Sequence, residues 1–132
     1  STEGAYDGVA AYAMTKRGQV VLTELLARDL TDVGATVNSM HPGWASTKGV
    51  EHSLPRFWKV MRNRLRTPEE GADTALWLAV AEQVEGQTGK FWFDRKVAPT
   101  HLLRRTREDE KERQRLWDLC ETTAEASLSS AA

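Results

Sequence analysis

Only two stretches of this chain read as β-strand, and each follows a helix: ATVNSMHPG at residues 35–43 and KFWFDRK at residues 90–96. In the first, Thr36, Val37 and Met40 suit a strand, and His41-Pro42-Gly43 breaks it abruptly. Short, largely uncharged strands that alternate with helices belong to parallel sheets covered on both faces. The order helix, strand, helix, helix, strand, helix selects α/β architecture with a right-handed crossover. Two strands of this kind do not make a stable sheet in water, where three or more are normally needed. The expectation is therefore a portion of a larger sheet.

The helices are marked by period and by caps. Between Val9 and Leu30, Val21, Leu22, Leu25, Leu26 and Leu30 form an apolar face near a 3.6-residue period, and Asp32 and Gly34 supply the stop. Residues 44–51 read as loop. Residues 53–65 read as a short amphipathic helix with Phe57, Trp58, Met61 and Leu65 on one side. Thr67-Pro68-Glu69-Glu70 is a helix start: a hydroxyl at the N-cap, proline at the first helical position, and Glu70 placed to bond back to the cap amide. EGQTG, residues 85–89, is a turn. From Thr106 a charged segment is predicted to be helical, with Leu116, Trp117 and Cys120 as its contact edge and SLSSAA as a disordered tail.

Composition narrows the function classes. At 132 residues the chain holds one core. A formal net charge of −1 gives no electrostatic case for nucleic acid or an acidic membrane as partner. One cysteine, Cys120, excludes an internal disulfide and any CxxC metal site, and no metal is expected. No apolar run reaches the length of a membrane span, and the expected location is cytoplasmic.

The chemistry-bearing pair lies in AAYAMTKRGQ, residues 10–19. Tyr12 and Lys16 are four apart on a helix and project from one face. An ammonium beside a phenol favours the phenolate, which suits Tyr12 to general acid/base work at an alcohol or carbonyl oxygen. Taken alone, the same spacing describes two residues that merely share a helix face. The second motif changes that balance. Tyr12-Ala-Met-Thr-Lys16 followed by the strand VNSMHPGWAST resembles the C-terminal half of a short-chain dehydrogenase/reductase. The HPGW turn, TPEEGADTALWLA and GKFWFDRKVAPTHL extend the resemblance over residues 7–102, toward the retinol-dehydrogenase-like branch of that family.

The resemblance implies the C-terminal portion of a Rossmann-like doubly wound parallel sheet over residues 1–105, with a charged helix and tail over 106–132. It implies hydride transfer between NAD(P)(H), NADP being favoured, and a carbonyl or alcohol of lipophilic character. Tyr12 would be the acid/base. Lys16 would tune it and hydrogen-bond the nicotinamide ribose. Pro42, Gly43, Trp44 and Thr47 would line the nicotinamide, and Phe57, Trp58 and Met61 would face substrate from a lid. The Tyr12–Lys16 helix would also be a surface for homo-oligomers.

The family's glycine-rich phosphate turn, its Asn-Ala-Gly strand and its catalytic serine are not found in this sequence; Ser1 lacks a strand before it. The N-terminal half of the domain is therefore expected to be absent from this chain. A second account makes the chain a truncated, non-catalytic homologue that binds a partner protein.

Overall fold

The structure is a computed structural model that describes residues 6–53, 55–101 and 103–131. The first helix, α1, runs Gly8–Asp29 and begins where the Asp7 carboxylate accepts the amides of Val9 (2.9 Å) and Ala10 (3.2 Å). It ends in a short 3₁₀ turn, Thr31–Val33, closed by Gly34 in the left-handed region, as Asp32 and Gly34 predict. The chain then enters β1, Ser39–His41.

The first strand is shorter than residues 35–43 suggest. Thr36 and Val37 lie outside it: the Val37 carbonyl accepts Gly89 N at 2.8 Å, but its amide goes to a side chain instead of extending the ladder. The Val37 amide donates to Thr88 Oγ1 at 2.9 Å. Asn38 then fastens the two strand segments: its Nδ2 donates to Gln87 O (2.7 Å), and its Oδ1 accepts from Lys90 N (3.1 Å) and Trp92 Nε1 (3.2 Å). One part-buried amide thus makes three bonds across the junction, two at its oxygen and one from its nitrogen.

After β1, residues 48–53 and 55–61 form two short helices, α2 (Lys48–Ser53) and α3 (Pro55–Met61), where the sequence suggested a loop and then one helix over 53–65. Pro55 opens α3 at the one helical position where its missing N–H costs nothing. Helix α4, Pro68–Val80, starts in a complete capping box: Glu70 N donates to Thr67 Oγ1 at 3.2 Å, and Thr67 N donates to Glu70 Oε2 at 2.8 Å.

KFWFDRK is a hairpin rather than one strand. β2, Phe91–Phe93, turns through Asp94 and Arg95 into β3, Lys96–Val97. Both turn residues have positive φ, 50° and 59°, as a two-residue primed turn requires. Asp-Arg lacks the glycine that usually announces such a turn; Asp94 instead contacts Arg66, and Arg95 contacts Asp73 and Thr74. The sheet order is β1-β2-β3, with β1–β2 parallel in the register Ser39↔Phe91 and β2–β3 antiparallel. Among the described residues no strand pairs with the outer edge of β1.

Val21, Leu25, Ala27, Val84 and Trp92 form the core. The Trp77 ring of α4 meets Trp92 edge-on at 5.5 Å. Gly89, at φ +70, brings the turn before β2 onto α1, where an added Cβ would stand 3.3 Å from Ala27 Cβ.

The last helix, α5, runs Glu110–Ala131. It starts at residue 110, after a 3₁₀ turn at Arg104–Thr106, because Asp109 and Glu112 cap each other at 2.8 and 3.1 Å. It continues through Ser127–Ser130, where a disordered tail was expected; the hydroxyls of Ser127 and Ser130 bond back to carbonyls one turn earlier. Helix α5 packs along α1, with Leu116 against Gly18 and Arg113 paired to Glu24 at 2.8 Å. No helix among the described residues is long and apolar enough to cross a membrane.

Removing the side-chain bonds should rank these devices. Thr67→Ala is expected to lower stability by about 1 kcal/mol, the usual worth of an N-cap. Asn38→Ala is expected to cost about 1–3 kcal/mol, because it leaves Lys90 N and Trp92 Nε1 without partners. Denaturant titration of both variants checks the order, and an equal or reversed order would refute the fastening role of Asn38.

Candidate active site

Tyr12 and Lys16 lie on the N-terminal half of α1, before the helix becomes buried. Tyr12 is 65% exposed, and its neighbours Val9 and Met14 are 78% and 74% exposed. Lys16 Nζ stands 5.8 Å from the centroid of the Tyr12 ring and donates to Gln19 Oε1 at 3.2 Å. The helix thus brings the two residues together as their spacing predicts. Both keep solvent access, and the lysine head has a neutral amide partner that a ligand hydroxyl could replace.

The adjoining residue anchors the helix. Arg17 Nε and Nη2 grip the Glu108 carboxylate at 2.5 and 2.7 Å, and Nη1 donates to Thr100 O at 2.9 Å. His101 joins the cluster, touching Arg17 and standing 3.0 Å from Glu108 Oε2. Neither His101 nor Glu108 was legible as a partner of this helix, because 84 and 91 residues separate them from Arg17. The Arg17 guanidinium, aided by the Glu108 backbone amide and His101, holds the Glu108 carboxyl down to about 2 against the opposing effect of burial.

The second half of the candidate site is the turn that ends β1. Gly43 has φ +75°, and its amide donates to His41 Nδ1 at 2.9 Å, which gives His41 a structural task. The His41 ring meets Phe93 edge-on at 5.7 Å. Trp44 is 57% exposed, and its carbonyl accepts Arg66 N at 2.9 Å. Ser46 N donates to Arg66 O at 2.8 Å, so residues 44–46 and 66 form a short parallel bridge. Behind the turn, Gly71 of α4 is buried where an added Cβ would lie 3.1 Å from Ala45 Cβ and 3.7 Å from Pro42 Cβ. The small residue lets α4 press directly on the turn. Thr47 is exposed, and its carbonyl receives the Glu51 amide at the start of α2.

Of the lid residues, Trp58 is half-buried and reaches Ser46 Oγ with its indole N–H at 3.4 Å, while Arg62 covers its ring at 5.7 Å. Met61 is half-buried. The Phe57 side chain lies outside the described residues. Trp58 thus reaches the segment after the turn at Ser46 from the helix side. No group of three or more metal-ligating side chains occurs among the described residues.

A family model described as enoyl-(acyl carrier protein) reductase matches residues 1–92. The chain belongs to the short-chain dehydrogenase/reductase family. It is 45% identical over 126 residues to dehydrogenase/reductase SDR family member 12 of Bos taurus, covering 94% of this chain and 39% of that protein. The human counterpart is 46% identical over 98 residues, or 74% of this chain and 30% of the relative. Human retinol dehydrogenase 14 is 33% identical over 127 residues, or 92% and 37%. The chain therefore spans about two fifths or less of these relatives. No solved structure matches it. The helices and the small mixed sheet fit part of the Rossmann-like α/β fold of the family.

The Arg17–Glu108 contact carries a pH signature. The Glu108 carboxyl is depressed from its ordinary 4.5 to about 2, so its stabilising contribution is present above 4.5 and lost as pH falls toward 2. Thermal melts across that window should show a loss of stability that Glu108→Gln flattens. A variant whose melting retains the wild-type slope would refute the contact.

Proposed function

We propose that this chain carries the nicotinamide-facing half of an NAD(P)(H)-dependent oxidoreductase acting on a carbonyl or alcohol. The observation that carries the reading is the pairing of Tyr12 with Lys16 on one exposed helix face, in a chain of this family. The donor set suits the nicotinamide end of the cofactor: a cation and a phenol that keep solvent access, and a positive-φ glycine turn. The pyrophosphate end finds no glycine-rich turn in this sequence.

When bound, the nicotinamide supplies or accepts the hydride. In the reducing direction, Tyr12 Oη gives its proton to the substrate oxygen as hydride reaches the carbonyl carbon; in the oxidising direction it takes that proton back. Lys16, which rests on Gln19, would be the residue to hold a ribose hydroxyl beside the phenol. Pro42, Gly43, Trp44 and Thr47 would flank the nicotinamide, and Trp58 and Met61 would offer substrate an apolar wall. NADP is the favoured form. A lipophilic alcohol or aldehyde is the favoured substrate, supported by the retinol dehydrogenases among the relatives.

A second reading rests on the exposed apolar residues Val9, Tyr12 and Met14 of α1. They would serve a protein-binding or dimerisation module, whether or not the pair is catalytic. Turnover separates the two readings.

In the natural full-length polypeptide, Tyr12→Phe is expected to lower kcat by at least about 100-fold, the scale of a lost general acid, with dinucleotide affinity nearly unchanged. Lys16→Ala is expected to impair both. Steady-state kinetics and a dinucleotide titration check this. Substantial turnover by Tyr12→Phe refutes the assignment, and a wild type without turnover that self-associates through α1 favours the binding module.

A further inference from the structure

Arg66 is joined to the turn that ends β1 by both its backbone and its guanidinium. Its backbone bridges Trp44 O and Ser46 N at 2.9 and 2.8 Å. Its guanidinium lies against Gly43 so closely that a Cβ there would meet Nε at 2.9 Å and Cζ at 3.0 Å. Nη1 also makes a long 3.5 Å contact to Pro42 O. On its far side the same guanidinium takes the Asp94 carboxylate in a two-point grip, at 2.5 and 2.7 Å, and stacks over the Phe93 ring at 5.1 Å.

The hairpin that presents Asp94 is itself constrained. Asp94 and Arg95 both sit at positive φ, a conformation that costs a non-glycine residue energy. The α4 helix supports them: Asp73 pairs with the Arg95 side chain, one bond measuring 2.8 Å, and the buried Thr74 hydroxyl accepts Arg95 N at 3.3 Å. The strained turn therefore delivers a fixed carboxylate to Arg66, and Arg66 delivers a fixed planar surface to Gly43. Half-exposed ion pairs add little stability. A two-point grip instead fixes orientation, which is what a binding turn needs.

We propose that Arg66, held by Asp94, is a positioning residue for the Pro42-Gly43-Trp44 turn, setting where that turn meets the nicotinamide. The inference rests on the nicotinamide-facing role proposed above. It assigns Arg66 no contact with substrate or with the reacting atoms; it acts through the turn.

The test uses the natural full-length polypeptide, whichever of NADPH or NADH the wild type binds, and the matching ADP-ribose compound that lacks nicotinamide. Arg66→Met is expected to weaken dinucleotide binding several-fold and lower kcat by about 10- to 100-fold, the scale set by misplacement of about 1 Å. Affinity for the nicotinamide-free compound should stay unchanged. Asp94→Asn, which leaves Arg66 in place, should do the same to a smaller degree, and Arg66→Lys should recover part of the loss. Because the two residues act in series, the double variant should be no worse than Arg66→Met alone. Amide exchange at Ser46 in the ligand-free protein should rise in Arg66→Met and Asp94→Asn. Equal losses on both ligands, additive effects, or unchanged Ser46 exchange in a folded variant would overturn the positioning role while Tyr12→Phe still lacked turnover. A wild type that binds no dinucleotide would overturn the parent reading and this one together.

Discussion

The amide of Asn38 is the point on which the two halves of this structure depend. The paired strands of the α1–β1 unit and the α4–hairpin unit lie about fifty residues apart in the chain, and their pairing is only three residues long on each strand. A parallel ladder of that length has few hydrogen bonds to offset the entropy of closing so large a loop. Asn38 adds bonds to Gln87, Lys90 and Trp92 immediately before the ladder starts. Ser39 N to Lys90 O and Gly89 N to Val37 O continue the same seam. With that seam closed, Trp92 is carried into the core against Trp77, and the end of β1 is carried to the hairpin.

What lies beyond the seam is a relay of rigid contacts. The capping box fixes the start of α4 immediately after Arg66, so the helix and the arginine are placed together. Helix α4 then touches the turn through Gly71 and the hairpin through Asp73 and Thr74. One helix thus sets the distance between the Gly43 turn and the Asp94 turn, and the Arg66 guanidinium fills it.

The elements that were legible in the sequence share one property: their signals are local. The apolar period of α1, the glycine stop at 34, the Thr67 capping box and the Tyr12–Lys16 spacing each need fewer than a few turns of chain to be read. The features that sequence reading missed are settled by partners far away. Asp94-Arg95 lacks a turn signature because Arg66, Asp73 and Thr74 stabilise its positive φ from outside the segment. Val37 looks like strand and is not, because Thr88 takes its amide. His101 had no visible partner because Arg17 lies 84 residues earlier. The α5 start was misplaced for a different reason: Asp109 to Glu112 is itself a capping box, and the surrounding run of charge concealed it.

Helix α1 shows how such an assembly gives precision to a pair that is itself exposed. Residues 6–16 are almost wholly open, whereas the second half of the helix is gripped from two sides. Val21, Leu25 and Ala27 enter the core, and Arg17, Gly18 and Glu24 meet the C-terminal segment. A side chain on a helix takes its starting point from the helix, so the anchored second half of α1 sets where the exposed Tyr12 leaves the backbone. Its anchor begins one residue after Lys16, where Arg17 binds Glu108, His101 and Thr100. Charge separates the two tasks cleanly. Arg17 is committed to a carboxylate and a carbonyl, while Lys16 rests on a neutral glutamine that it can leave at small cost. Of two adjacent cations on one helix, the anchored one fixes the frame, and the other is held only by a neighbouring amide.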